Sequence, residues 1–146
     1  MQDTKVYIVG GGDFNSLAES MFAMNQIAKT SNGYAYSSKA RMKYARHGHS
    51  CAALGENHII VTGSRKDVDR APFRTECYDV RVDRWYEMAD IKQGRHYHSS
   101  CSFENSWVYI FCGISNESKK YLNTIERLAF NPLDLEASKH NNWELL

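Results

Sequence analysis

Two five-residue blocks, each built around a pair of histidines, hold the residue types best suited to chemistry. The first is Arg46-His47-Gly48-His49-Ser50, and Arg95-His96-Tyr97-His98-Ser99 repeats it further along the chain (95 − 46 = 49). Alternate residues of a strand share a face, so the two imidazoles of each block could chelate a transition metal. The same pattern would arise if each block were part of an internal repeat and its second histidine, His49 or His98, had a structural role. We expect the structural role, with no metal ligand and no cofactor.

Composition and charge restrict the classes of function. The chain has 146 residues, 42% hydrophobic and 24% charged, which suits one soluble globular domain. A formal net charge of +1 creates no field that would attract nucleic acid or an anionic membrane, so we expect neither partner. No apolar run approaches the length of a signal-peptide core or a membrane span, which predicts a cytoplasmic protein. The four cysteines lie in strand-like segments without metal-type spacing and are expected to be buried free thiols.

Four landmarks recur in the same order, and the interval between copies is close to fifty residues. One landmark is an apolar run that ends in glycine, and taking Gly11, Gly63 and Gly113 as equivalents gives spacings of 52 and 50 residues. The others are the Arg-His block, an aromatic residue, and a large apolar residue followed by Asn or Asp. The aromatic residues are Tyr36, Trp85 and Trp143, and the pairs are Met24-Asn25, Tyr78-Asp79 and Phe130-Asn131. Such a period is typical of repeat architectures.

Each repeat is predicted to form four short strands, called a to d. The a strand follows the Arg-His block and the b strand is the apolar run, while the c and d strands carry the remaining two landmarks. The b strands are apolar on both faces, so each is expected to lie between two sheets. The approximate units are 1–45, 46–94 and 95–146.

The order of residues within the repeat resembles the kelch repeat. The middle unit matches best, with Arg46-x-x-His49, a b strand ending at Gly63, Glu76-x-Tyr78-Asp79 and Trp85-x-x-Met88. The first unit departs from the pattern at Met24-Asn25 and Tyr36, and the third has one glycine, at residue 113. The resemblance implies an all-β fold, a partial β-propeller of about three four-stranded kelch-type blades, the first lacking its a strand. It also implies that the Arg and His of each block serve packing.

Two other classes of function are alternatives. The start of the chain combines a strand, a glycine loop and a Ser16-x-x-Glu19 capping box, as a nucleotide-binding segment does. That hypothesis fails at Asn15, where a third glycine is required, although a helical turn within 16–23 remains predicted. The chain lacks nucleophile-elbow, zincin and paired-carboxylate patterns, so no catalytic residue is predicted. A propeller enzyme or a metal- or sugar-binding protein is the alternative to a binding scaffold.

The loops provide the candidate binding residues. In an up-and-down blade the b–c and d–a loops lie on one face, and here the b–c loops are long while the a–b turns are minimal. We predict that this face binds a partner through basic side chains and aromatic anchors. The predicted residues are Arg46, Arg65, Lys66, Arg70, Phe73, Arg74, Arg95, Lys119, Lys120 and Tyr121. Such a surface would suit an acidic peptide segment. The expanded c–d connections, 25–36 and 131–143, are either docking elements or tolerated insertions on the opposite face.

The resemblance implies a non-catalytic protein-interaction scaffold. Kelch proteins include substrate adaptors for ubiquitin ligases and cytoskeletal proteins, so a cytoskeletal association is part of the expectation. Three blades do not close a propeller, and the end blades would expose apolar faces and strand edges. We therefore expect further blades from a longer chain or, as the second choice, from a second subunit.

Overall fold

The computed structural model describes residues 5–10, 24–65 and 71–146. Within these ranges the regular structure consists of thirteen strands and one short helix, which confirms the all-β prediction. No helix within these ranges has the length and apolar character needed to cross a membrane.

The first blade is a three-stranded antiparallel sheet that corresponds to strands b, c and d. Its strands are β1 (Lys5–Val9), β2 (Met24–Thr30) and β3 (Gly33–Ser38), paired in that order. β2 pairs with β1 over residues 24–28 and with β3 over residues 25–30, so the helix that the nucleotide-binding hypothesis requires does not run through residues 24–30. The predicted helical turn within 16–23 lies outside the described residues.

The second blade has all four predicted strands. They are β4 (Ser50–Leu54), β5 (His58–Thr62), β6 (Thr75–Asp79) and β7 (Arg84–Met88), which pair in sequence order. The central strands β5 and β6 bury almost every residue, and β-branched side chains such as those of Ile59–Thr62 suit a strand covered on both faces.

The third blade repeats this arrangement after a short connecting segment. That segment contains β8 (Arg95–His96), and the blade follows as β9 (Ser99–Phe103), β10 (Trp107–Phe111), β12 (Ile125–Ala129) and β13 (Glu144–Leu145). Between β10 and β12, the b–c loop forms β11 (Ile114–Ser115), which pairs with β8. The expanded c–d connection holds α1 (Leu135–Lys139), whose N-cap Asp134 accepts a hydrogen bond from the Ala137 amide.

The strand registers correct the alignment of the glycines. Thr62 pairs with Ser50 and Phe111 pairs with Ser99, so the residue after the b strand is Gly63 in the second blade and Cys112 in the third. Gly113 is therefore one position late. Gly63 and Cys112 both have positive φ, 71° and 56°, and Gly10 at 60° fills the same place in the first blade, one residue before the predicted Gly11.

The registers also correct the apolar pair in the c strand. Ile27 lies opposite Tyr36 just as Tyr78 lies opposite Trp85, and Leu128 pairs with the b strand as Tyr78 does. Tyr78 is thus equivalent to Ile27 and Leu128, rather than to Met24 and Phe130. The Asn that follows each of those two residues drew the prediction away from the true register.

The described core lies mainly between the second and third blades. Buried side chains from both sheets meet there: Ala52, Leu54, Ile60, Cys77, Met88 and Ile91 face Val108, Ile110, Leu128, Phe130 and Trp143. Each blade therefore buries its apolar residues against its neighbour, as successive propeller blades do. Burial of cysteine was predicted for all four thiols, but only Cys77 is buried; Cys51, Cys101 and Cys112 are exposed.

The prediction that every b strand lies between two sheets is wrong for β1. Val6 and Ile8 are 54% and 46% exposed, because no sheet formed by residues 5–10, 24–65 and 71–146 covers that face of the first blade. β10 alternates between buried and half-buried residues for the same reason on the far side of the third blade.

A tryptophan hydrogen bond links each pair of neighbouring blades. The Trp85 indole Nε1 donates to the carbonyl of Ala40 (2.8 Å), and the Trp143 indole Nε1 donates to the carbonyl of Ala89 (3.1 Å). Ala40 and Ala89 occupy equivalent places after successive d strands. The aromatic landmark of the repeat therefore fastens each blade to the end of the preceding one.

Candidate functional site

The first arginine of the repeat is fully buried in an ion pair. The Arg46 guanidinium donates to one Glu76 carboxylate oxygen through Nε (3.1 Å) and Nη2 (2.9 Å). Its Nη1 donates to the carbonyls of Gly63 (2.9 Å) and Arg74 (2.8 Å), which satisfies backbone acceptors at both ends of the b–c loop. The other Glu76 oxygen accepts from the Lys43 amide, so the carboxylate is shared between side chain and backbone.

The second arginine repeats this arrangement in the third blade. Arg95 Nη2 donates to Glu126 Oε1 (2.6 Å), and Nη1 donates to the carbonyls of Cys112 (2.9 Å) and Thr124 (3.2 Å). Glu126 accepts from the backbone of the segment just before Arg95. Arg46 and Arg95 were predicted to contact a partner, but burial and these bonds commit both to holding their loops, so we leave them out of the binding surface.

The second histidine of each block packs against the preceding blade. The His98 Nε2 lies 2.8 Å from the Thr62 hydroxyl, and its ring lies against Gly63, where a Cβ would come within 2.6 Å of Cε1. His49 lies against Gly10 in the same way. Burial lowers the pKa of His49 to about 4 and that of His98 to about 3, with nearby arginines adding to the effect. Both imidazoles are therefore neutral at pH 7.

The part of the chain that the structure describes does not contain a set of ligands for a metal ion. No group of three or more His, Cys, Asp or Glu side chains there is arranged to hold a metal ion. The Nδ1 atoms of His49 and His98 have no hydrogen-bond partner among the described residues, and their positions over glycines account for both rings.

The remaining predicted binding residues separate into three groups. Arg65, Lys119, Lys120 and Tyr121 are exposed, and Tyr121 is the most open of them at 88%. Phe73 and Arg74 are half-buried. Lys66 and Arg70 lie outside the described residues.

Phe73 and Arg74 have structural contacts that sequence reasoning did not anticipate. The Phe73 ring covers Gly94, where a Cβ would approach it to 2.8 Å. Arg74 lies 3.3 Å from the Asp90 carboxylate and 5.3 Å over the Tyr44 ring. Both side chains therefore support the loops more than they extend from them.

Two b–c loops and the intervening d–a segment meet on one side of the molecule. The Asn116 amide donates to the carbonyl of Gly94 (2.9 Å), and the Asn116 side chain donates to the carbonyl of Arg65 (3.3 Å). Backbone bonds from Ser64 to Arg95 and from Arg65 to His47 complete the junction. The exposed basic and aromatic side chains of this junction form what we call the loop face, defined as Arg65, Tyr97, Lys119, Lys120 and Tyr121.

Tyr97 is the member of the loop face that sequence reasoning missed. It is 58% exposed and has a positive φ of 52°, which a bulky residue rarely adopts. Its hydroxyl lies 3.5 Å from Arg65 Nη1, and its ring passes over Gly48. Gly48 occupies the equivalent place in the first Arg-His block, with φ of 66°. The alignment of those two blocks, which sets Tyr opposite Gly, was the signal that could have identified it.

Comparison with known proteins agrees with this architecture. The chain is similar to F-box/kelch-repeat protein SKIP20 of Arabidopsis thaliana, with 29% identity over 93 residues that cover 62% of this chain and 22% of that protein. It is also similar to Kelch-like protein 23 of Homo sapiens, with 28% identity over 96 residues that cover 66% of this chain and 14% of that protein. The matched segment thus spans less than a quarter of either relative. No protein-family model matches the chain. In sequence the chain is therefore similar to kelch-repeat proteins, and its strand order is that of four-stranded antiparallel blades.

Proposed function

We propose that the chain is a non-catalytic protein-interaction scaffold of the kelch-propeller type and part of a larger propeller or assembly. Its similarity to two kelch-repeat proteins supports this class of function. The name of one relative also contains an F-box, which favours an adaptor role among the kelch functions. We place such an adaptor in the cytoplasm, with a cytoskeletal association as the alternative setting.

We propose further that the loop face binds an acidic peptide segment. Arg65, Lys119 and Lys120 provide positive charge around the exposed Tyr97 and Tyr121, and the acidic Glu117 is their neighbour in sequence. Arginine and tyrosine are enriched among the residues that dominate binding energies, while flexible surface lysines mainly increase association rates.

The single observation that carries this proposal is the conformation of Tyr97. A left-handed tyrosine costs about 1–2 kcal/mol relative to an ordinary backbone conformation. Strained, exposed residues of this kind concentrate at ligand-binding positions, where the surrounding structure holds them. Here the left-handed backbone holds an aromatic ring over Gly48 and in reach of Arg65.

Fluorescence anisotropy with a labelled peptide tests the loop face. The probe is a twelve-residue peptide of alternating Glu and Asp with one central Leu, and a peptide of the same length with Lys in place of the acids is the ligand control. We expect the double variant Arg65→Glu/Lys119→Glu to raise the Kd for the acidic probe by roughly tenfold or more. Tyr97→Gly, which suits the backbone at that position, should weaken binding without loss of fold.

Lys5→Glu/Arg84→Glu is the matched control, because it also reverses two exposed basic side chains, at the first residues of β1 and β7 and outside the loop face. Equal binding by the wild type and the double variant would contradict the proposal, as would a loss of binding of the same size in the control variant.

A further inference from the structure

Among the residues that the structure describes, the first and the third blade each have one sheet face without a second sheet packed on it. The head face, on the first blade, consists of Val6, Ile8, Ile27 and Tyr36, and Tyr36 is 65% exposed. The tail face, on the third blade, consists of Phe103, Trp107, Tyr109 and Phe111. The head face and the tail face are defined by these apolar side chains, and they lie at opposite ends of the row of blades. Polar side chains border both faces: Asn25 and Lys29 flank Ile27 on the first blade, and Arg127 and Glu144 lie beside Tyr109 on the third.

The registers show that these faces are the two halves of a contact already present inside the chain. On the tail face, Tyr109 and Phe103 occupy the positions that Ile60 and Leu54 occupy in the second blade, which cover the third blade. On the head face, Val6 and Ile8 occupy the positions of Val108 and Ile110, which receive that contact. Tyr36 likewise takes the place of Trp85.

The side-chain sizes of the two faces are complementary. The tail face consists of four aromatic rings, with Tyr109 and Phe111 stacked at 6.2 Å between centroids. The first two head-face residues, Val6 and Ile8, are aliphatic, so large rings would meet smaller side chains, as close packing between sheets requires. Arg127 and Glu144 are the charged side chains beside the tail-face rings in the described part of the blade, and they neutralise each other, because Arg127 donates to Glu144 (2.8 Å) while covering the Trp107 ring.

We propose that the tail face of one copy docks on the head face of a second copy, and that two copies close a six-bladed dimer through two identical contacts. Each contact would reproduce the joint between the second and third blades, so the occupant of each open face is a surface that the chain itself provides. A head-to-tail contact of this kind gives a closed ring when its rotation returns to the start. This inference goes beyond the proposed binding function and does not depend on the loop face.

Sedimentation equilibrium over a range of concentrations tests the dimer. We expect the wild-type chain to approach twice its 16.8 kDa mass at tens of micromolar and to grow no further. Tyr109→Glu changes the tail face and Ile8→Glu changes the head face, and each alone should raise the dimer dissociation constant by roughly tenfold or more. Leu133→Glu, at an exposed position outside both faces, is the control and should dimerise like the wild type.

Mixing the variants identifies the contact as head-to-tail. The Tyr109→Glu copy retains an intact head face and the Ile8→Glu copy an intact tail face, so an equal mixture should form heterodimers at concentrations where each variant alone is mostly monomeric. A tail-to-tail dimer would instead leave Ile8→Glu fully dimeric, and that result would overturn the proposal.

A monomer at all concentrations would also overturn the proposal, and would favour further blades of a longer polypeptide as the occupant. Growth beyond two copies would show that the contact does not close. Far-UV circular dichroism of each variant checks that the sheets are intact. The loop-face variant Arg65→Glu/Lys119→Glu should remain dimeric, so failure of the dimer and failure of peptide binding are distinguishable.

Discussion

The joint between the second and third blades differs from the joint between the first and second. The former holds a continuous apolar cluster in which side chains such as Ile60, Leu128 and Trp143 are fully buried. The latter relies more on polar contacts, including the Tyr44 hydroxyl donating to Glu87 (2.7 Å) and the Ala40 amide donating to Asp83 (2.8 Å). The tilted contact of Tyr7 with Tyr78, at 6.1 Å between ring centroids, is its main aromatic element.

This difference shows that three contacts of the repeat recur from blade to blade, whereas the apolar core does not. The Arg-Glu pair, the tryptophan bond and the histidine over glycine recur with the same partners in successive blades. The apolar side chains between the sheets vary in size and number. The blades of this chain can therefore be recognised from these three contacts even where the hydrophobic pattern is weak.

Breaking one buried ion pair should have the largest effect on stability. Arg95→Met leaves the Glu126 carboxylate charged and buried without its guanidinium partner, which should lower the free energy of unfolding by about 3–5 kcal/mol. Arg46→Met should have about the same effect, because the Arg46–Glu76 pair is also fully buried. Urea unfolding of both variants measures the free energy of unfolding. Adding Glu126→Leu to Arg95→Met should recover part of the loss, since it removes the unpaired charge. If the free energy of unfolding fell by less than about 1 kcal/mol in either single variant, the ion pair would not be a stabilising contact common to both blades.

A pair of equivalent positions sharpens the comparison between covered and open faces. Leu128 is fully buried between two blades, and Leu128→Ala should lower the free energy of unfolding by about 2–5 kcal/mol. Ile27 is its equivalent on the head face, and Ile27→Ala should cost less than about 1 kcal/mol when measured below the concentration at which copies associate. Equal losses would mean that the first blade is covered in the folded chain.

The histidine contacts should make stability depend on pH. Because folding holds the pKa of His98 near 3 and that of His49 near 4, the unfolded chain binds more protons below its ordinary histidine pKa of about 6.5. The stabilisation is complete above that value and is lost as pH falls toward the folded pKa values, by at most about 1.4 kcal/mol per pH unit for each histidine. Urea unfolding at pH 7, 6 and 5 should show this decline.

His98→Asn should flatten the pH dependence, because it removes the residue with the lower folded pKa. His140→Asn, at an exposed position after α1, is the control and should leave the dependence unchanged. The window above pH 5 avoids the carboxylates of Asp79, Asp83 and Glu87, whose pKa values are lowered by hydrogen bonds and so titrate in more acidic solution. A flat profile between pH 7 and 5 would contradict neutral burial of the two rings.

The order of the strands could be predicted because the landmark residues of the repeat have strong local structural preferences. The Arg-His block, the apolar run and Trp85 each mark a strand or its end, and the observed sheets follow them. The register was harder to predict. Asn25 and Asn131 follow a large apolar residue just as Asp79 follows Tyr78, but the strand pairing shows that they lie two or more residues away from the position equivalent to Asp79. Local composition does not distinguish such shifts; only the partner strand does.

The candidate site was predictable as a face but not residue by residue. Arg65, Lys119, Lys120 and Tyr121 are exposed as expected, whereas Arg46 and Arg95 turn inward to charged partners some thirty residues away. Charge alone does not separate a solvated arginine from a buried one that has a carboxylate in reach. Tyr97 was missed because its exposure depends on a left-handed backbone conformation, which a tyrosine in the sequence does not predict.

Helix α1 limits how freely these repeats can be exchanged. It belongs to the third blade but contacts β7 of the second, where Lys139 lies 4.6 Å over the Tyr86 ring. A blade that carries such an outer bridge is matched to one particular predecessor. If the third repeat were duplicated or moved elsewhere in a protein, this helix would lose its contact with β7. The two blades are therefore expected to be inherited as a unit.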